Sequence, residues 1–153
     1  MSHRHTVCLE FESTYEMLDF VQVASDHLGR LAGLDDEALH WVGVAVRESV
    51  INAIKHGNAG DERKRVHVEF TPLNSNRPAG IAIRVRDEGP GFDPDALPDP
   101  LAPENMLKSS GRGIFLIRSF MDELVLRRAP EGGMEVVMVK RVGAPEFLQN
   151  ANE

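Results

Sequence analysis

The spacing of hydrophobic residues changes along the chain and predicts one strand, two helices and then a second group of strands. Alternation at Val7, Leu9 and Phe11 is typical of a half-buried strand. Helical spacing follows over residues 17–31 and again over residues 39–53, which predicts two amphipathic helices. Their apolar stripes consist of Met17, Leu18, Val21, Ala24, Leu28 and Leu31 in the first helix and Leu39, Val42, Val46, Val50 and Ala53 in the second.

Residues at the ends of these helices match known start and stop signals. Ser13 and Glu16 have the spacing of a capping box, in which a hydroxyl and a carboxylate bind free backbone amides at the helix start. Gly33 is expected to end the first helix. The second should open near Asp35, because acidic groups favour the positive end of the helix dipole, and should end at Gly57.

Beyond the second helix the hydrophobic period falls from 3.6 to 2. Alternating residues over 66–70 and 81–85 predict a hairpin, and residues 124–128 and 134–141 predict a second one. A proline-rich loop and a short helix separate the two hairpins. The order β-α-α-β-β-loop-α-β-β predicts an α+β fold: a two-layer α/β sandwich with a mixed, mostly antiparallel sheet and its helices on one face.

Composition narrows the class of protein. The 153 residues fit a single domain, with a core over about 6–142 and a tail over 143–153. With 17 Lys and Arg against 24 Asp and Glu, the net charge of −7 argues against direct nucleic-acid binding. One cysteine, Cys8, and the lack of a long apolar run favour a cytoplasmic protein without a membrane span. The single tryptophan, Trp41, is expected in the core.

The first candidate for chemistry is a polar cluster at the end of the second helix. Glu48 and Asn52 are four residues apart and therefore share one helix face, and Lys55 and His56 follow one turn later. An amide oxygen can bind Mg²⁺, and a carboxylate can accept a proton from an attacking hydroxyl. Taken alone, this spacing is better explained by a solvated helix face.

Two glycine-containing clusters follow. Asp87 begins an Asp-x-Gly-x-Gly segment at a strand end, where its carboxylate could accept a hydrogen bond from an exocyclic amine such as that of adenine. A tight turn is the alternative. Gly111 and Gly113 open a helix whose free amides could bind phosphate, with Lys108 and Arg112 nearby. The chain has no P-loop motif.

The order and spacing of the three clusters resemble the N, G1 and G2 boxes of the GHKL ATP-binding superfamily, which has the Bergerat-type fold. Within it the chain resembles the anti-sigma-factor serine/threonine protein kinases (RsbW/SpoIIAB-like). The first box reads Glu48-x-x-x-Asn52-Ala53-Ile54-x-His56-Gly57, and Phe120-Met121-Asp122-Glu123-Leu124 follows the third. The resemblance covers about residues 11–142, which is nearly the whole chain.

The resemblance implies a role for each box. Glu48 would be the catalytic base toward an acceptor serine, and Asn52 would hold Mg²⁺. Asp87 would bind the adenine amine, and residues 93–110 would form a lid. The nucleotide-binding residues would be Asn52, Lys55, His56, Asp87, Gly89, Gly91, Phe92, Lys108, Ser110, Gly111, Arg112, Gly113 and Ile114.

The implied function is an ATP-dependent kinase that phosphorylates a serine on an anti-anti-sigma (STAS-domain) partner and sequesters a sigma factor by partner switching. A homodimer built through residues 6–28 is expected from the same resemblance. The chain has Ser109 and Ser110 where the family often has an arginine before the third glycine box. This departure leaves open a nucleotide-binding module that sequesters its partner without kinase turnover. A detached histidine-kinase ATPase domain is a separate alternative.

Overall fold

The computed structural model describes residues 5–73, 79–90 and 118–143. Strand β1 (Val7–Glu12) leads through a 3₁₀ turn (Tyr15–Met17) into α1 (Leu18–Leu31) and α2 (Asp36–Asn52). A π-helical turn (Ala53–Gly57) extends α2. Four strands complete the described elements, namely β2 (Arg65–Pro72), β3 (Gly80–Arg86), β4 (Glu123–Arg128) and β5 (Met134–Arg141). No helix within these ranges is long and apolar enough to cross a membrane.

The five described strands form one sheet in the order β1-β2-β3-β5-β4, and every neighbouring pair is antiparallel. The two predicted hairpins are confirmed as β2 with β3 and β4 with β5. The predicted α+β class is also confirmed. Because β5 lies between β3 and β4, the end of β3 lies beside the start of β5, where Arg86 is paired with Glu135.

The core lies between the sheet and the two helices. Inward-facing residues of neighbouring strands are in register, as with Val68 opposite Val85 and Phe70 opposite Ile83. The predicted stripe of α2 is confirmed, since all five of its members are buried. The largest fully buried apolar side chains are Phe70, Ile54, Ile81, Ile83 and Met138. Burial of these surfaces supplies the main stabilising free energy of the fold.

The predicted stripe of α1 is correct except at its last member. Leu18 and Val21 are buried, whereas Leu31 is 64% exposed. The helix ends at Leu31, and the chain reverses through Gly33, whose φ of +92° favours glycine. Ala32 and Leu34 are the residues that this turn carries into the core. Two residues of the turn are therefore buried in place of Leu31, the last member of the predicted stripe.

The predicted capping box at the start of α1 is wrong. The residue before the 3₁₀ turn is Thr14, and its side chain makes no capping hydrogen bond. Ser13 is buried instead, and its hydroxyl donates to the Lys64 carbonyl oxygen at 2.7 Å. The same hydroxyl accepts a hydrogen bond from Asn58 at 2.8 Å. Ser13 therefore ties β1 to the segment after α2 rather than starting a helix.

The sheet face turned away from the helices carries a network of ion pairs. Glu135 has a fully buried side chain that lies between Arg84 and Arg127, with the Arg127 Nε 2.6 Å from Oε1. Arg84 also pairs with Glu131 at 2.9 Å and with Glu69 at 3.5 Å. A buried carboxylate needs such partners because its desolvation is costly. This face is therefore charged and paired, in contrast to the apolar face under the helices.

Two valine substitutions test the assignment of the core. Val68→Ala should lower the free energy of unfolding by about 2 kcal/mol, because it removes buried methyl groups and leaves a cavity. Val68 has 0% exposure, whereas Val125 on β4 is 46% exposed. Val125→Ala makes the same chemical change, and its cost should stay below about 1 kcal/mol. Urea unfolding measures both, and equal losses would contradict the assigned inner face.

Candidate functional site

The helix α2 presents Glu48 and Asn52 in its last two turns. It starts at a side-chain cap, in which Asp35 Oδ1 accepts a hydrogen bond from the Ala38 backbone amide at 2.8 Å. Both site residues are half-buried and lie one turn apart. Within the described part of the chain, neither side chain is engaged in a hydrogen bond or an ion pair. A carboxylate and an amide are therefore available to a ligand.

The helical segment ends in a wider turn than the sequence predicted. Residues Ala53–Gly57 form a π-helical turn, which the Asn58 amide closes by donating to the Ala53 carbonyl oxygen at 2.8 Å. The segment as a whole ends at Gly57, as predicted. Lys55 and His56 are exposed on this turn. Single π turns of this kind occur frequently at functional sites.

Asp87 follows directly after β3 and is only 6% exposed. Its Oδ1 atom accepts hydrogen bonds from the backbone amides of Gly89 at 2.9 Å and Met134 at 3.1 Å. Its own amide donates to the Met134 carbonyl oxygen at 3.0 Å. Among the described residues no donor binds Oδ2. The backbone thus fixes the carboxylate through one oxygen and leaves the other as an acceptor.

Three glycines surround Asp87 so closely that a side chain would not fit. A Cβ on Gly57 would overlap the Asp87 carboxylate, and one on Gly89 would overlap the Gly57 carbonyl oxygen. A Cβ on Gly133 would overlap the Asp87 carbonyl oxygen, and its φ of +82° also favours glycine. The end of the helical segment, the loop after β3 and the β4–β5 turn therefore meet at one carboxylate.

The sequence reasoning missed the parts that Gly57 and Gly133 play. From the sequence, Gly57 is predicted only as a helix stop, and Gly133 lies between the two strands of the second predicted hairpin. Residues 129–133 connect β4 to β5, and the available signal is the second of two consecutive glycines in this connection. The strand order explains the contact between Gly133 and Asp87, because it places the start of β5 beside the end of β3.

Asn58 is a third residue whose role the sequence reasoning missed. Its side chain has 0% exposure and uses both ends of its amide. Nδ2 donates to Ser13 Oγ at 2.8 Å and to the Arg65 carbonyl oxygen at 2.9 Å. Oδ1 accepts a hydrogen bond from the Glu88 backbone amide at 2.7 Å. Asn58 therefore joins the helical segment to the residue that follows Asp87.

The side chain of Glu88 adds a second connection at the same place. Its Oε1 accepts from the Arg65 amide at 2.8 Å, and the His67 Nε2–H donates to Oε2 at 2.8 Å. These contacts, the one from His67 foremost, hold the pKa of Glu88 below its ordinary value. The carboxylate stays ionised at neutral pH, so the Glu88 side chain binds the loop after β3 to β2.

Trp41 does not join the buried core, in contrast to the prediction. It is half-buried, and its ring stacks on Phe120 with centroids 3.5 Å apart and planes within 4°. Lys140 donates from Nζ to the Phe120 carbonyl oxygen at 2.9 Å. Residues 118–120 are helical, which agrees with a helix after the third box. Trp41 lies two turns before Glu48 on α2, so this stacking places the end of that helix beside α2.

The remaining predicted site residues lie outside the described ranges. These are Gly91, Phe92, Lys108, Ser110, Gly111, Arg112, Gly113 and Ile114, together with the predicted lid over residues 93–110. The described ranges contain the other six predicted site residues, on the helical segment and on the loop that meets its end. They are Glu48 and Asn52 on α2, Lys55 and His56 on the turn, and Asp87 and Gly89 on the loop.

The chain belongs to the histidine kinase-like ATPase domain family, whose model matches residues 11–140. The match contains α2, the π-helical turn and Asp87. A solved structure with the same fold contains the RsbU and RsbW domains of Rv1364c from Mycobacterium tuberculosis. It superposes with a TM-score of 0.63 at 16% identity, over 92% of this chain and 33% of that one.

Curated relatives show which members of that family the chain is similar to. Serine-protein kinase RsbW of Listeria monocytogenes serovar 1/2a is 26% identical over 151 residues, covering 95% of this chain and 92% of the relative. The anti-sigma F factor of Oceanobacillus iheyensis is 32% identical over 152 residues, covering 96% and 99%. The chain is thus a member of the anti-sigma-factor serine/threonine-protein kinases, an ATP-using class of enzymes.

Neighbouring glycines of the β4–β5 turn provide a matched test of the Asp87 environment. Gly132 and Gly133 both have positive φ, so alanine at either position should cost about 1–2 kcal/mol in unfolding free energy through backbone strain. Only a Cβ on Gly133 would meet Asp87, since one on Gly132 has no atom within 4 Å. Gly133→Ala should therefore also weaken ADP binding at least about tenfold.

Isothermal titration of ADP at a temperature where both variants are folded measures this difference. Gly132→Ala is the control and should bind ADP like the wild type. Equal ADP affinity in the two variants would contradict the assignment of Asp87 to the nucleotide site.

Proposed function

We propose that the protein uses Mg-ATP to phosphorylate a serine on an anti-anti-sigma (STAS-domain) protein, and that it sequesters a sigma factor by partner switching. The observation that carries this proposal is the contact between Gly57 and the Asp87 carboxylate. Through it the helix that bears Glu48 and Asn52 ends directly at Asp87. One nucleotide could therefore be held by the strand-end carboxylate and by the polar residues of the helix at the same time.

Asp87 is the proposed acceptor for the exocyclic amine of adenine. Its Oδ1 is occupied by two backbone amides, so Oδ2 is the oxygen that would accept a hydrogen bond from the amine. The charge of the carboxylate strengthens such a hydrogen bond relative to a neutral acceptor. The close packing of glycine backbone around Asp87 supports this role, because it leaves the carboxylate little freedom to turn away.

Asn52 is the proposed protein ligand of Mg²⁺. The ion would be bound by the protein through one amide oxygen and would take its other ligands from phosphates and water. Bound Mg²⁺ would neutralise phosphate charge, which matters in a chain of net charge −7. Lys55 and His56, both exposed, are proposed to lie toward the phosphates.

Glu48 is the proposed general base. In the transfer step the serine hydroxyl loses its proton to the Glu48 carboxylate, its oxygen bonds to the γ-phosphorus, and the bond from that phosphorus to ADP breaks. Glu48 is suited to this because it is half-buried and unpaired among the described residues. Its place one turn before Asn52 puts the base beside the proposed metal ligand.

The partners are proposed from the names of the relatives and from the surface of the chain. Sequestration of a sigma factor follows the anti-sigma F factor relative, and the STAS-domain substrate follows the resemblance. A homodimer through residues 6–28 is supported by two features of that segment. Strand β1 is an edge of the sheet, and Tyr15, Phe20 and Val23 are 53%, 52% and 67% exposed.

Phosphorylation of a STAS-domain protein tests the kinase assignment. Glu48→Gln should slow formation of phosphoserine at least about 100-fold, since it removes the proton acceptor. Its ADP affinity should stay within about threefold of wild type, a change below about 0.7 kcal/mol. Glu37→Gln, an exposed carboxylate in the first turn of the same helix, is the control and should keep full activity.

The assay uses Mg-[γ-³²P]ATP and STAS-domain proteins from the same genome, followed by acid treatment. Acid-stable label that depends on Glu48 supports the proposal. Acid-labile label would identify a histidine-kinase ATPase domain. Nucleotide binding with no label on any of the STAS proteins would favour the sequestering module without turnover.

Removal of Mg²⁺ tests the proposed metal dependence without any phosphoryl transfer. EDTA should lower the affinity for ATP at least about tenfold, because the phosphates then face an acidic protein without a counterion. Adenosine, which lacks phosphates, should bind equally well with and without EDTA. An ATP affinity that EDTA leaves unchanged would contradict the role given to Asn52.

A further inference from the structure

The loop that carries Asp87 is held by a buried side chain, that of Asn58. Its backbone leaves β3 at Arg86, and the amide of Glu88 is directed toward Asn58 Oδ1 at 2.7 Å. Asn58 has no exposed surface, so it cannot touch a ligand itself. Its contacts reach three separate parts of the chain, namely Ser13, the Arg65 carbonyl oxygen and Glu88.

We infer that Asn58 is a positioning residue that sets the orientation of the Asp87 carboxylate and so determines the preference for adenine. This inference rests on the proposed role of Asp87. The Glu88 amide belongs to the peptide bond that joins Glu88 to Asp87, and Gly89, one residue further, donates to Asp87 Oδ1 at 2.9 Å. Fixing that peptide through Asn58 therefore fixes both the residue that would bind adenine and one of its two backbone donors.

The side-chain amide of Asn58 has one acceptor oxygen and two donor hydrogens, and the donors and the acceptor bind different parts of the chain. The two donor contacts, to Ser13 Oγ and to the Arg65 carbonyl oxygen, hold Asn58 against β1 and the start of β2. The single acceptor contact, from the Glu88 amide, acts on the nucleotide loop. A buried amide whose partners are all in place before a ligand binds keeps the loop preorganised, which lowers the cost of binding.

A comparison of ADP with IDP isolates this role. IDP has the same ribose and phosphates but carries a carbonyl oxygen where adenine has its exocyclic amine, so only ADP can donate an amine hydrogen to Asp87. Asn58→Ala leaves the Glu88 amide without its acceptor and should lower the affinity for ADP at least about fivefold. The affinity for IDP should change less than about twofold, because the phosphate contacts remain. If Asn58 had a merely structural role, its loss would lower the affinities for ADP and IDP by the same factor.

Ser13→Ala is the matched control. It removes a hydrogen bond from the same Asn58 amide and should lower the unfolding free energy, yet it leaves the contact between Oδ1 and the Glu88 amide intact. Its ratio of ADP to IDP affinity should equal that of the wild type. If Ser13→Ala and Asn58→Ala reduce the ratio by the same factor, the specific role of the acceptor contact is overturned.

Asp87→Asn separates failure of this inference from failure of the proposed function. If the wild type does not prefer ADP over IDP, or if Asp87→Asn leaves the preference intact, the role proposed for Asp87 is wrong and the inference falls with it. If the wild type prefers ADP and Asp87→Asn abolishes the preference, an unchanged preference in Asn58→Ala overturns the inference alone.

Hydrogen exchange supplies a readout that needs no variant, in case Asn58→Ala does not fold. In the nucleotide-free wild type the Glu88 amide should exchange at least about 100-fold more slowly than an unprotected peptide amide, because it is bound to a buried acceptor. Exchange at the rate of an open loop would show that the loop is not held before the nucleotide arrives, and it would overturn the inference.

Discussion

A carboxylate that is buried among backbone atoms sets the geometry of this site. Asp87 is held by amides of Gly89 and Met134, and glycine backbone approaches it from three sides. Backbone donors lose little conformational entropy when they bind, so they orient the carboxylate at low cost. The arrangement also sets strict demands on neighbouring elements. The helical segment, the loop after β3 and the β4–β5 turn must all reach the same point, and the order of strands in the sheet is what brings the last two together.

The charged side chains of the molecule differ between the sheet and the proposed site. On the sheet face turned away from the helices, carboxylates and guanidinium groups neutralise one another around the buried Glu135. At the proposed site, Glu48 and Asn52 have no such partners within the described residues. Paired charges stabilise the fold and are not available to a ligand, whereas the unpaired carboxylate and amide are. In this acidic chain, pairing of carboxylates with guanidinium groups reduces the repulsion that a bound polyanion would meet. The Glu48 carboxylate, unpaired among the described residues, is the one with a proposed chemical role.

Much of the fold could be predicted because the relevant signals are local. Alternation in β2 and β3 and the helical stripe of α2 both reflect burial on one face, and the structure confirms them. Predictions failed where tertiary contacts decide. Ser13 has the spacing of a helix cap, but its hydroxyl binds Lys64 and Asn58, which are distant in sequence. Leu31 continues the periodicity of α1, yet the helix ends there and the following turn carries other residues inward. The spacing of Glu48, Asn52 and Asp87 was readable from the chain, whereas the supporting roles of Asn58 and Gly133 depend on strand order.

The π-helical turn has a consequence for how this segment can change during evolution. It fits five residues, Ala53–Gly57, where a regular helix would close its hydrogen bond one residue earlier. The extra residue is held within this one turn, and Gly57 and Asn58 follow directly at its end. Gly57 must stay without a side chain because a Cβ would overlap the Asp87 carboxylate, and Asn58 must stay an amide because both ends of its buried side chain are bonded. Two neighbouring positions at the end of the helical segment should therefore be constrained during evolution, whereas the identity of exposed positions such as Lys55 remains free to vary as far as packing is concerned.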